Sequence, residues 1–206
     1  MKTYPSIPRA NNNIAVLDKE VYVFDKLDGS NLRFEWDKKQ GWHRYGTRTR
    51  LFDITDKVFG ESIAIFKDTM AKEIEDTATA SKWESVTAYC EFYGKNSFAG
   101  SHESSDSKRL SLFDVAPYKK GILGPEEFLD KFGHLNIAIF LGKHLWTREF
   151  IEEVRRSLIP GVTFEGVIGK AGEGHKLTMV KAKTQLWITK VKEKYSPEEA
   201  KMILES

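Results

Sequence analysis

The segment Asp25-Lys26-Leu27-Asp28-Gly29-Ser30-Asn31 decides how this sequence is read. It follows the apolar run Val21 to Phe24 and leads into a second strand-like run that ends at Trp36. Asp-Gly is the commonest turn dipeptide between paired strands, so the plain reading is a hairpin turn. A lysine placed two residues before that turn, at the end of an apolar strand, is what a hairpin does not need. Two readings stand at this point: a turn, or a turn that presents a reactive lysine.

Working outward, strand patterns recur at Trp42 to Arg48, Ser85 to Tyr93, Leu110 to Ala116, Thr163 to Gly169 and Lys176 to Lys183. Several alternate apolar and polar residues, as half-buried antiparallel strands do. Between them the spacing predicts a helix over Glu61 to Glu75, where Ile63, Phe66, Met70 and Ile74 share a face. A second follows the N-cap residue Thr147, marked by Phe150, Val154 and Leu158. Ser196-Pro197-Glu198-Glu199 is a capping box with proline at the first helical position, which starts a C-terminal helix to about Leu204. The run Gly169 to Gly174 lacks the Gly-Lys-Ser/Thr ending of a phosphate cradle and reads as a turn between Ile168 and Leu177. Gly100 to Lys108, rich in serine, reads as a surface loop. No repeat or linker divides the chain, so the expectation is one α+β domain on antiparallel sheet, residues 1–206, with a short basic segment and helix over 184–206.

Composition narrows the classes. A chain of 206 residues can bury a sizeable core, and 40% hydrophobic residues with 13 Phe and 5 Trp indicate a folded protein. The single cysteine, Cys90, excludes an internal disulfide framework, and the first thirteen residues lack the apolar run of a signal peptide. A soluble, cytoplasmic protein in a reducing setting is expected. No apolar stretch approaches the roughly 20 residues that span a bilayer. Net charge is only +2, but Lys176, Lys181, Lys183, Lys190, Lys192 and Lys194 crowd the last quarter. His43, His102, His134, His144 and His175 show no paired metal spacing, so a zinc site is not expected.

The company that Lys26 keeps changes its reading. In order follow Thr47-Arg48-Thr49-Arg50, Glu91-Phe92-Tyr93-Gly94, Leu112-Phe113-Asp114, Phe164-Glu165-Gly166-Val167-Ile168 and Val180-Lys181-Ala182-Lys183. This ordered set resembles the covalent nucleotidyltransferase superfamily of polynucleotide ligases and mRNA capping enzymes, over about Lys26 to Lys183. Its closest flavour is the RNA ligase 2-like branch, which often reads Lys-x-x-Gly-x-Asn, matched here by Lys26, Gly29 and Asn31.

The resemblance implies an ATP-grasp-like, antiparallel-sheet ligase adenylation domain and a covalent lysyl-AMP intermediate. Lys26 would attack the α-phosphorus of ATP; AMP would pass to a 5′-phosphate end, and a 3′-hydroxyl would displace it. It further implies that Glu91 grips the ribose hydroxyls, Phe113 stacks on adenine, and Glu165, with Glu91, holds Mg2+ or Mn2+. Arg48 would contact the ribose or the 5′-phosphate, with Arg50 the alternative if the register slips by two. Asp28 and Gly29 would shape the turn, and Asn31 would bind the nucleotide or the incoming end. An unperturbed lysine is protonated below a pKa of roughly 10.4 and cannot attack. Lys181 and Lys183 are therefore expected to disfavour the charge on Lys26 and to neutralise the transition-state phosphate.

Only 23 residues follow Lys183, which by the same resemblance implies a minimal core with no C-terminal OB or other accessory domain. Clamping of RNA ends would then fall to this domain, to Lys190, Lys192 and Lys194, or to a partner protein. Trp187 beside them would be a stacking platform or core packing. Other readings of the same motifs are a DNA ligase, a capping-type guanylyltransferase, or a nucleic-acid-binding module without catalysis.

Overall fold

The structure, a computed structural model, describes residues 3–9, 16–95, 97 and 102–205. Nine strands form two antiparallel sheets among these residues. The first sheet has the order β7-β1-β8-β9, from β1 (Glu20–Lys26), β7 (Phe140–Leu145), β8 (Gly166–Ala171) and β9 (Thr178–Lys183). The second has the order β4-β3-β2-β5-β6, from β2 (Ser30–Asp37), β3 (Gly41–Thr47), β4 (Leu51–Phe52), β5 (Ser85–Tyr93) and β6 (Arg109–Pro117).

The turn at Asp28-Gly29 is therefore no hairpin. β1 and β2 belong to different sheets, and the turn carries the chain across. Gly29 fits this passage because a Cβ there would lie 2.5 Å from the Phe92 carbonyl oxygen of β5. The turn over residues 172–177 does join a hairpin, β8 to β9, in the register Gly166 with Lys183 and Ile168 with Lys181.

Helices cover the outer faces. α1 (Glu61–Phe66), a π-turn over Lys67–Ala71 and α2 (Lys72–Ala80) run on as one rod, five residues past the predicted end at Glu75. Ile63, Phe66, Met70 and Ile74 are all buried on the second sheet, where Phe66 stacks on Phe34 at 4.0 Å. α3 (Pro125–Phe132) buries Phe128 and Phe132. α4 (Arg148–Arg155) starts at Thr147, whose hydroxyl accepts from the Phe150 amide. Phe150 and Val154 are buried, but the helix ends before Leu158, which is 55% exposed.

α5 (Gln185–Lys194) is capped by Thr184, and α6 (Pro197–Glu205) by Ser196 and Glu199. The Ser196 amide donates to Glu199 at 3.1 Å, and the Glu199 amide to the Ser196 hydroxyl at 3.4 Å. The predicted strands at Thr163 and Lys176 begin later, at Gly166 and Thr178. Thr163 is held instead by the Asp25 carboxylate, and Lys176 closes a 3₁₀ turn. Of the predicted loop at 100–108, Gly100 and Ser101 lie outside the described residues. His102 to Lys108 carry no helix or strand.

β1 serves two cores at once. Val21 and Val23 point into a cluster with Trp146, Phe150 and Val154. Phe24 points the other way, into the larger cluster, and Tyr22 packs against it. Strand alternation then dictates that Lys26 continues the Tyr22-Phe24 row, on the face turned toward the second sheet.

Candidate active site

That face opens into a cavity of about 190 Å³ between the sheets. Lys26, Ile168, Lys170 and Lys181 line it from one side, and Asn31, Glu91 and Phe113 from the other. The same parity governs each strand. On β5, Ala88, Cys90 and Phe92 pack in the large core while Glu91 faces the cavity. On β9, Val180 and Ala182 pack under α4, leaving Lys181 and Lys183 on the opposite face. Phe113 owes its place to an irregularity: Tyr89 pairs with Asp114 but Cys90 with Leu112, so Phe113 is the extra residue of a β-bulge. Bulges re-aim side chains, and this one turns both Phe113 and Asp114 away from the Leu112 and Val115 side.

Glu165 lies just before β8 and is clamped on both flanks. Thr163 donates to Asp25 through its amide (3.0 Å) and hydroxyl (2.7 Å), while the Thr184 amide donates to the Glu165 carbonyl at 2.9 Å. Its carboxylate then meets Lys26 Nζ at 2.7 Å and Lys183 Nζ at 3.4 Å. Asp28 is buried and accepts a hydrogen bond from the Trp187 indole at 3.1 Å, and the Lys183 ammonium lies 4.1 Å over the same indole. Trp187 is core packing, 1% exposed, and not a stacking platform for bases. Arg48 lines the cavity, whereas Arg50 is engaged elsewhere, on Asp56 at 2.5 Å and over the Phe59 ring.

The charges behave differently from the sequence expectation. Burial pulls the Lys26 ammonium down, but Glu165, Glu91 and Asp28 outweigh it and hold the group above its ordinary value. Lys26 is thus a protonated, ion-paired lysine in the resting protein. Lys181 and Lys183 are the groups that move down, each to about 8, through burial and through repulsion that involves Lys26. Burial, with Glu165 and Asp28 beside it, pushes the Glu91 carboxyl up to about 8. Carboxylates surround Lys26, and two further ammonium groups stand next to it.

Two contributors carried no sequence signal. Lys170, 3% exposed, sits five residues after Glu165 on the cavity wall. It donates to Asp114 at 2.7 Å and to the Phe113 carbonyl at 2.8 Å. The segment Thr3 to Arg9 closes another wall. Tyr4 donates to Asp114 at 2.5 Å and sets its ring edge-on to Phe113 at 5.0 Å, while the Lys181 amide donates to the Pro8 carbonyl. The Lys181 and Pro8 partners stand 173 positions apart in sequence, which no local pattern announces.

No family model matches the sequence, and no curated protein does. Solved structures do match. A Naegleria gruberi RNA ligase with PPi superposes at a TM-score of 0.67 and 16% identity, over 94% of this chain and 59% of that one. A variant of the same ligase with AMP and Mn gives 0.65 and 14%, over 91% and 57%. A protein of Aquifex aeolicus classed as an ATP-dependent DNA ligase gives 0.61 and 17%, over 100% and 58%. The fold is that of a polynucleotide-ligase nucleotidyltransferase domain. The chain spans less than two thirds of the length of these ligases.

Within this ligase fold the residues also suit a divalent cation. Among the described residues no three or more His, Cys, Asp or Glu side chains converge into a ready-made cage. Magnesium does not need one, since it takes one or two carboxylates together with water and substrate phosphate. Glu165 and the strained, buried Glu91 are oxygen donors of that kind, and a cation beside Glu91 would relieve the burial cost that now favours its protonated form. Among the described residues no helix is long and apolar enough to cross a membrane.

Proposed function

We propose that this chain is an ATP-dependent RNA ligase domain that forms a covalent lysyl-AMP on Lys26. The observation that carries the reading is that Lys26 stands on the wall of the inter-sheet cavity with Glu91 and Phe113 opposite it. Lys181 lines the same cavity, and Glu165 and Lys183 lie within ion-pair reach of one another beside it. Phe113 and Ile168 offer apolar faces from the two sheets for a purine, and Glu91 is the acceptor for the ribose hydroxyls. Arg48 at the rim, with Asn31 on β2, is suited to the incoming 5′-phosphate. A divalent metal held by Glu165 and Glu91 would supply Lewis-acid neutralisation of the phosphate.

The chain's own residues do the rest. Lys26 must first pass a proton to Glu165 or to solvent, and the Glu165 contact that now holds it charged must loosen when the nucleotide binds. The Nζ lone pair then forms a bond to the α-phosphorus. The bridging bond to the β-phosphate breaks, and its electron pair leaves with pyrophosphate. Lys181 and Lys183, lowered to about 8 by burial and crowding, are held charged by an approaching anion and neutralise the five-coordinate phosphate. AMP next passes to a 5′-phosphate, and a 3′-hydroxyl displaces it to seal the ends.

The test incubates the full chain with a divalent metal and α-labelled ATP or GTP. Lys26→Ala is expected to abolish an acid-labile protein label that wild type forms with ATP. Failure of wild type to label with either nucleotide sinks the reading, and labelling by GTP alone replaces it with guanylyl transfer. RNA is favoured by Asn31 and by the Naegleria RNA ligase likeness; DNA is the second reading, favoured by the Aquifex likeness over the whole chain. Equal sealing of all-DNA and RNA-containing pre-adenylated nicks would reverse the preference for RNA.

A further inference from the structure

Lys181 also borders a second cleft, of about 290 Å³. Arg9, Arg155, Lys181, Lys183 and Lys192 line it, and among the described residues no carboxylate does. Three elements outside every motif supply the added cations. Arg9 comes from the N-terminal segment, which bridges β9 at Lys181; Arg155 ends α4; Lys192 lies in the last turn of α5. The Arg9 guanidinium also donates to the Leu204 carbonyl, tying the N-terminal segment to α6. Arg155 is steadied by Gln185 at 3.4 Å. Cations gathered in a concave site focus a field that draws anions.

Lys181 borders both the cavity and the cleft, whereas Lys26 borders the cavity and not the cleft. A phosphorus atom held at Lys181 would therefore adjoin both the cavity wall that carries Lys26 and the cationic cleft. Displacement at phosphorus runs with attacking and leaving groups roughly in line. We infer that the cleft between the N-terminal segment, α4 and α5 binds the pyrophosphate end of ATP, and that Arg9, Arg155 and Lys192 are leaving-group residues of nucleotidyl transfer. Arg9 and Arg155 are suited to the role because a planar guanidinium grips phosphate oxygens in pairs. When the bond between the α- and β-phosphates breaks, its electron pair leaves on a pyrophosphate oxygen that faces these groups. The adjacent repulsion among Lys181, Lys183 and Arg9 is relieved by the same anion.

The inference rests on the proposed lysyl-AMP chemistry, and its test separates the two. Arg9→Ala, Arg155→Ala and the double variant are compared with wild type in the full chain, with magnesium. Each loses one or two charge-assisted contacts, so KM for ATP in adenylylation is expected to rise about tenfold to hundredfold. The inorganic pyrophosphate needed to reverse the labelled adduct is expected to rise equally. Sealing of a pre-adenylated nick, a step without pyrophosphate, is expected to stay within about twofold, far inside a tenfold change. An equal loss in that sealing step overturns the inference and assigns the cleft to the polynucleotide backbone, as do unchanged ATP and pyrophosphate dependences. If wild type forms no adduct, the underlying function fails. Calorimetry with inorganic pyrophosphate alone then decides the cleft, where undiminished binding by the double variant overturns it.

Discussion

Lys26 departs from the simplest picture of an activated lysine. Its nearest charged partner is a carboxylate, and the depressed ammonium groups are its neighbours Lys181 and Lys183. Glu91 is the most perturbed carboxyl of the set, and it sets a pH signature. Its folded value of about 8 exceeds the ordinary 4.5, so between those limits the unfolded chain has released a proton that the fold retains. Stability of the nucleotide-free protein therefore falls as pH rises from about 4.5 to 8 through this group. Glu91→Gln, neutral throughout, is expected to flatten that fall, stabilising the protein relative to wild type at pH 8 more than at pH 5. Urea unfolding at the two values measures it; a parallel shift at both would refute the assignment. The same variant should lose adenylylation.

Buried Lys170 and Asp114, 4% and 1% exposed in their side chains, make a second residue-scale prediction. Removing one member of such a pair strands the other, at a cost of about 3–5 kcal/mol. Lys170→Met is expected to show that loss in denaturant unfolding, and adding Asp114→Asn should recover part of it. A loss no greater than that of an exposed lysine would show that the pair carries no stability.

Elements are where the sequence was most and least informative. That Lys26, Glu91 and Lys181 share a cavity was legible because alternation along β1, β5 and β9 puts charged side chains on one face and apolar packing on the other. Thr147 and the Ser196-Glu199 pair were legible because caps are local. The bulge at Phe113 was not, since a register shift depends on the partner strand. The short β4 and the exposed β7 escaped notice because their patterns are weak, helix α3 because it spans only eight residues, and the hairpin reading of Asp28-Gly29 failed because a turn dipeptide does not say which sheet comes next. The direction of the Lys26 shift was equally hidden, because it depends on how close Glu165 comes in space.

Gly166 gives an element-scale prediction. Its φ of +147° lies where side chains are strained, and a Cβ would come 2.0 Å from the Ala182 carbonyl oxygen. Gly166→Ala is expected to part β8 from β9 and move Glu165 off Lys26 and Lys183. Displacements of this order cost about 100-fold in rate. A kcat for adenylylation within threefold of wild type, at about the precision where such effects vanish, would show that the strand junction does not position Glu165.

At the scale of the whole molecule, the cavity lies between two sheets joined by the passage at Asp28-Gly29. A ligand that binds only the folded protein at 100 times its Kd stabilises by about 2.7 kcal/mol. For a chain of this length that corresponds to a rise in Tm of about 5–10 °C. ATP with magnesium is expected to give such a rise, and Phe113→Ala to reduce it; no rise at saturating nucleotide would contradict binding between the sheets.

The two-sided packing of β1 has a consequence for how this sequence can change over time. Val21 and Val23 can be exchanged for other apolar residues at modest cost, because each faces a core that tolerates equal volumes. Loss or gain of a single residue between Glu20 and Asp25 is another matter. It would invert the strand, bury the lysine under α4 and turn a valine toward the cavity. Drift by substitution is open to this strand, while drift in its length is closed, so the spacing upstream of Lys26 is under as strict a constraint as the lysine itself.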